Sequence, residues 1–171
     1  MNPMKLLPAA PIMLALILAA CGGSSDKGPV YCPAPFTVED ASRLTHFKPG
    51  PGRDPRDIAY EAVLAGARTA CSARRSQIDV TLVMRVEVNA GPSVGAGQTR
   101  VPYFVRVLDS SDRVVQSAEF TADFRLSSAN PRGSSQEELS LVVPRDSGGY
   151  RIAVGLKPTP EELNYNRRVR Q

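Results

Sequence analysis

The sequence has no tryptophan, one histidine (His46) and three cysteines in 171 residues. Without Trp, no indole ring pins a sandwich core. One imidazole, and no two cysteines close in sequence, leave a zinc-type site short of donors, so neither a metal nor a cofactor is expected. Charge of one sign is scarce too. The 21 basic and 17 acidic side chains give a formal net charge of +4, too mild to suggest nucleic acid as a partner. Only Lys5, Lys27, Lys48 and Lys157 are lysines; the excess of Arg reflects codon composition rather than an anion-binding design. Long apolar runs are absent but for one. Leu6 to Ala20 is uncharged and mostly apolar, yet Pro8 and Pro11 interrupt it, and a spanning helix needs roughly 20 apolar residues.

That run opens what the sequence does contain. Lys5 gives it a positive start, small residues end it, and Gly22, Gly23, Ser24, Ser25, Asp26 and Lys27 are too polar to extend it. This is the layout of a secretory signal with its cleavage site. Within it, Leu18-Ala19-Ala20-Cys21 resembles the lipobox of bacterial lipoproteins: Leu, two small residues, then Cys. The resemblance implies that the Cys21 sulfur receives a diacylglyceryl group, that cleavage after Ala20 makes Cys21 the new N-terminus, and that its amine accepts a further acyl chain. Two or three chains, at ~0.8 kcal/mol per buried methylene, hold a protein on a bilayer stably. Gly22 stands where lipoproteins retained in the inner membrane often carry Asp. The resemblance therefore implies the outer membrane, with the domain facing the periplasm. The rest of the chain is similar to uncharacterised small lipoproteins of alphaproteobacteria through Cys32-Pro33, the Phe47-to-Asp57 stretch, Val101-Pro102-Tyr103-Phe104 and Pro158-Thr159-Pro160-Glu161-Glu162-Leu163. That likeness implies no activity and no functional residues.

With Cys21 lipidated, Cys32 and Cys71 remain, and an even pair in an oxidising compartment reads as one disulfide. Two free thiols or a metal pair are the weaker alternatives. Residues 1–20 read as the signal, 21–30 as a flexible tether containing Gly and Ser, and 31–171 as a single domain large enough for one core.

Within the domain, Pro33, Pro35, Pro49, Pro51 and Pro55 predict an irregular segment to Pro55, with a short helix near Thr37 to Leu44 capped by Thr37. Beyond it the pattern is that of strands. Ile78, Val80, Leu82, Met84, Val86 and Val88 recur at strict period two, and so do Ala118, Phe120, Ala122, Phe124 and Leu126. Val101 to Leu108 is apolar on both sides and predicts a central strand. Glu138 to Val143 and Tyr150 to Leu156 predict two more, joined through a turn at Pro144 to Gly149. Ile58 to Gly66 suits helix or strand, with strand favoured by a hairpin turn at Ser72 to Ser76. Thr159-Pro160-Glu161-Glu162 predicts a short terminal helix, with Thr159 as N-cap and Pro160 at its first position. The fold expected is mainly β: an antiparallel β-sandwich, immunoglobulin-like, with an irregular Pro-rich N-terminal segment and a short C-terminal helix.

Candidate chemistry is thin. Gly91-Pro92-Ser93-Val94-Gly95 matches the G-x-S-x-G nucleophile elbow, but another strand rather than a helix follows it, and His46 lies upstream of Ser93. It reads as a Gly-rich loop. His46 reads as structural or merely exposed, and Asp54 and Asp57 as loop carboxylates neutralised by Arg53 and Arg56. Gly50 and Gly52 lack the strand a phosphate loop requires. Glu137-Glu138 and Glu161-Glu162 are adjacent and make no acid–base pair. Tyr165 to Arg170, with three arginines, reads as a solvated tail. The expectation is a membrane-anchored, non-enzymatic module, structural or binding another envelope protein. The alternative is a small hydrolase or ligand-binding domain using the Gly91–Gly95 loop or the Asp54–Asp57 loop.

Overall fold

Alternation in the strands becomes two layers. The structure, a computed structural model, describes residues 31–145 and 149–169. The signal, Leu18, Ala19, Ala20, Cys21 and the tether lie outside the described residues. Eight strands and one helix follow in order: β1 (Pro35–Thr37), β2 (Arg43–Phe47), β3 (Ile58–Ala73), β4 (Gln77–Ala90), β5 (Gly97–Leu108), β6 (Val114–Leu126), β7 (Arg132–Pro144), β8 (Arg151–Leu156) and α1 (Pro160–Val169). They form two four-stranded sheets, β1-β8-β5-β6 and β2-β3-β4-β7, antiparallel throughout except for β1 beside β8. The layering is that of the immunoglobulin-like sandwich expected, with a strand order of its own.

The period-two residues supply the core. Val80, Leu82, Met84, Val86 and Val88 of β4 are almost wholly buried against Val101, Tyr103, Val105 and Val107 of β5 and Ile152, Val154 and Leu156 of β8. β5 is central, between β6 and β8, and buries alternate residues. The ambiguous Ile58 stretch is strand for 16 residues, paired with β4 through a hairpin.

One irregularity in β3 matters. Leu64 pairs with Val86 and Gly66 with Arg85, so Ala65 is an extra residue, a β-bulge. Before it the even residues Ile58, Tyr60, Ala62 and Leu64 face inward. After it the odd residues Ala67, Thr69, Cys71 and Ala73 do, while Arg68, Ala70 and Ser72 are exposed. The bulge thus keeps Arg68 in water and turns Cys71 to the inner face. There it stands at disulfide distance from Cys32, S–S 2.07 Å, beside Thr69 Oγ1, which donates to Pro33 O at 2.8 Å. Cys32 leads directly into β1, so the pair ties one sheet to the other.

Two local expectations need correction, and one connection takes a course the sequence left open. The segment before Pro55 is less irregular than its prolines suggest, because β1 and β2 fit between them. The expected helix from Thr37 to Leu44 shrinks to a single 3₁₀ turn, Glu39–Ala41. Thr37 is claimed by the ladder with Val154, and Val38 N–H donates to Val154 O at 2.9 Å, so the chain is still extended where a helix cap would stand. The strands flanking Pro144 to Gly149 do not pair with each other: β7 joins β4 and β8 joins β5, so the connection crosses between sheets.

Candidate functional site

The terminal helix assembles what the sequence keeps apart. Thr159 N–H donates to Glu162 Oε2 (2.8 Å) and Glu162 N–H donates to Thr159 Oγ1 (3.3 Å), a capping box that turns the Glu162 carboxylate back over the helix start. Its other oxygen, Oε1, meets His46 Nδ1 of β2 at 2.7 Å. Burial would raise the Glu162 pKa, but hydrogen bonds from His46 and from the Thr159 amide outweigh it and leave the carboxyl below its ordinary value. An ionised carboxylate only accepts, so His46 Nδ1 carries the proton and donates it. In the neutral ring, Nε2 then holds the lone pair.

The imidazole is half-exposed and stacks on Tyr60, centroids 4.7 Å apart. Tyr60 Oη donates to Arg100 O at 2.7 Å, and burial, then the Glu162 charge, pushes its pKa up. His46 separates two surface clefts. One, of about 460 Å³, is lined by Lys48, Arg53 and Glu161 among others. The second, of about 600 Å³, is lined by Val94, Gln98 and Arg100 among others. The arrangement orients an imidazole and fixes its tautomer. The sequence reading missed this dyad: its members lie 116 residues apart, and their only local signal was the Thr-x-x-Glu cap.

Most of the residues singled out from sequence are committed to structure. Ser93 Oγ donates to Arg56 O at 2.5 Å and Ser93 N–H to Ile58 O at 2.8 Å. Among the described residues no hydrogen bond joins Ser93 to His46. Gly91 has a steric reason: a Cβ there would stand 2.2 Å from Ile58 O, whereas Gly95 has open space around it. The elbow motif is a loop packed on the start of β3.

Asp54 and Asp57 cap the 3₁₀ turn Pro55–Asp57. The Arg56 hydrogen bonds hold the Asp54 carboxyl below its usual range, and a hydrogen bond from Lys48, at 2.7 Å, does the same for Asp57. Arg53 was expected to serve this pair. It instead donates to the carbonyls of Gly50 and Gly52, pairs with Glu161 and lies over the Phe47 ring. Glu137 turns inward and accepts from Tyr103 Oη at 3.1 Å, while Glu138 is exposed. The C-terminal cluster is no loose tail as far as Val169. Tyr165 packs edge-on against Phe47, Asn166 Nδ2 donates to Arg43 O at 3.0 Å, and Arg167 pairs with Asp40. Comparison with protein families, curated proteins and solved structures finds no match to this chain.

Proposed function

We propose that this chain is a lipid-anchored protein of the bacterial envelope, processed after Leu18-Ala19-Ala20 and lipidated on Cys21. Its sandwich then faces the periplasm, from the outer membrane, as a non-enzymatic module that binds another envelope protein. The carrying observation is the cysteine arrangement. Cys32 and Cys71 stand at disulfide distance, and the one cysteine left over is the lipobox-like Cys21. A structural disulfide fits an oxidising compartment. Ser93, Asp54 and Asp57 are all engaged in holding the loops around Ile58, which supports a binding role over hydrolysis. No nucleic acid enters this reading, and the membrane enters it through acyl chains.

Intact mass of the protein purified from native membranes, with and without reductant before alkylation, tests it. The expected mass is residues 21–171 plus acyl groups, with two thiols alkylated only after reduction. An unlipidated mass overturns the anchor, and free Cys32 and Cys71 thiols overturn the compartment. In-membrane crosslinking is expected to recover a protein partner.

A further inference from the structure

The fold treats its two sides differently. On one side β1 is three residues long, and α1 lies against β2, with Asn166 Nδ2 on the Arg43 carbonyl. Short and covered edges are how sheets avoid adding foreign strands. On the other side β6 and β7 run 13 residues each, and among the described residues each pairs along one flank only.

One hydrogen bond fixes which backbone groups of β7 are outward. Gln116 Nε2 on β6 donates to Val142 O at 2.7 Å, so that carbonyl points away from β4. In an antiparallel ladder, residues alternate between those bonded to the neighbour through both groups and those turned away with both. The β4–β7 register is unbroken from Asn89↔Arg132 to Gln77↔Pro144. Ser134, Gln136, Glu138 and Ser140 therefore also direct N–H and C=O away from β4. Among the described residues, no strand takes them up.

The side chains of the alternate row are equally unfinished. Glu137, Leu139 and Leu141 pair with Met84, Leu82 and Val80, so they face the inter-sheet space, yet each is only partly buried. Glu137 accepts hydroxyl hydrogen bonds from Tyr103 and Ser135, and among the described residues no cation reaches it. Burial, then the Glu137 charge, raises the Tyr103 phenol, which accordingly stays a donor. The row therefore offers two aliphatic contacts and one partly desolvated negative charge.

We propose that β7 is a strand-addition site for an extended segment of the protein partner, added antiparallel and reading aliphatic-x-aliphatic-x-basic. The two aliphatic side chains meet Leu141 and Leu139, and the basic one meets Glu137. The Gln116 bridge closes the edge at Val142, so the added segment spans Ser134 to Leu141. Main-chain bonds supply affinity and the alternate side chains supply specificity. This rests on the envelope-module reading and names the chemistry of its partner.

The test uses the full chain in detergent and a fluorescein-labelled peptide, Val-Thr-Ile-Thr-Lys-Thr-Thr-Thr, read by anisotropy. Saturable binding is expected, with new amide-exchange protection at Ser134 to Ser140. Norleucine in place of the peptide lysine should weaken binding roughly tenfold, the effect of one charge-assisted contact, and Glu137→Gln should erase that difference. Ser140→Pro removes an outward N–H that β4 does not use, so the unfolding midpoint should hold while binding is lost. No saturable binding, full binding by Ser140→Pro, or an unchanged lysine preference in Glu137→Gln would each overturn the proposal. In-membrane crosslinks confined to α1 and β2 would overturn it while leaving the envelope-module reading standing. An unlipidated mass with intact peptide binding would do the reverse.

Discussion

Replacing Cys32 and Cys71 together by Ser tests how the two sheets are tied. The cysteines are 39 residues apart in sequence. Chain entropy for a closed loop of that length, 2.1 + 1.5R ln n, comes to about 13 cal/mol/K, or about 4 kcal/mol at 25 °C. The structure says where the loss should fall. β1 holds to β8 through three register pairs, Pro35↔Ile152 to Thr37↔Val154, extended by the Ile152 N–H on Ala34 O and the Val38 N–H on Val154 O, and the Thr69 hydroxyl donates to Pro33 O. β8 itself is held by six pairs to β5 and does not depend on Cys32. Urea unfolding followed by circular dichroism should show the midpoint falling by about 2 M, for an m of ~2 kcal/mol/M in urea. Amide exchange should show Phe36, Val38 and Val154 losing protection while Val105 and Ala153, which bond within β5, β6 and β8, keep theirs. A loss below about 1 kcal/mol, with Val38 still protected, would refute the reasoning: the β1–β8 ladder would then be holding the N-terminal segment unaided.

Further outcomes follow from burial, sterics and charge. Leu82→Ala, at a fully buried site between the sheets, should cost ~2–5 kcal/mol in denaturant unfolding. Gly91→Ala forces a Cβ against the Ile58 carbonyl and should lower Tm by several degrees, whereas Gly95→Ala should leave it unchanged; equal shifts would show that the loop is not packed as described. The Glu162 carboxyl lies below its ordinary value of 4.5 in the folded protein, so its stabilisation is complete above that pH and is lost as pH falls through the folded value. Acid unfolding of Glu162→Gln should accordingly be flatter below pH 4.5 than that of the parent. Asn166→Ala should cost about 1 kcal/mol, the worth of one hydrogen bond to the β2 edge.

Local chemistry made much of this molecule legible. Ile78 to Val88 alternates because one face of β4 meets a core and the other does not, and that pattern needs no knowledge of the partner strand. Thr159 and Pro160 start a helix because a side-chain oxygen and a fixed φ act within one turn. Pairing is different. The turn chemistry at Pro144 to Gly149 says that the chain bends, and says nothing about whether its flanks share a sheet. Thr37 has a helix-capping side chain, but Val154, 117 positions on, offers its backbone a ladder instead.

The residues that gather at surfaces were the least visible. His46 and Glu162 meet only because α1 folds back over β2, and Glu137 meets Tyr103 only because two sheets face each other. The Ala65 bulge shifts the inward row of β3 by one residue, so alternation read through Leu64 would have put Cys71 on the outer face. The sequence by itself determined the layers, the core-facing residues of the long strands and the closing helix, since side-chain periodicity and helix capping act within a few residues. Only the tertiary structure decided which strands are neighbours, which edges are covered and which charges sit half-buried with no counter-ion among the described residues. Those depend on contacts between segments a hundred residues apart, which no local pattern encodes.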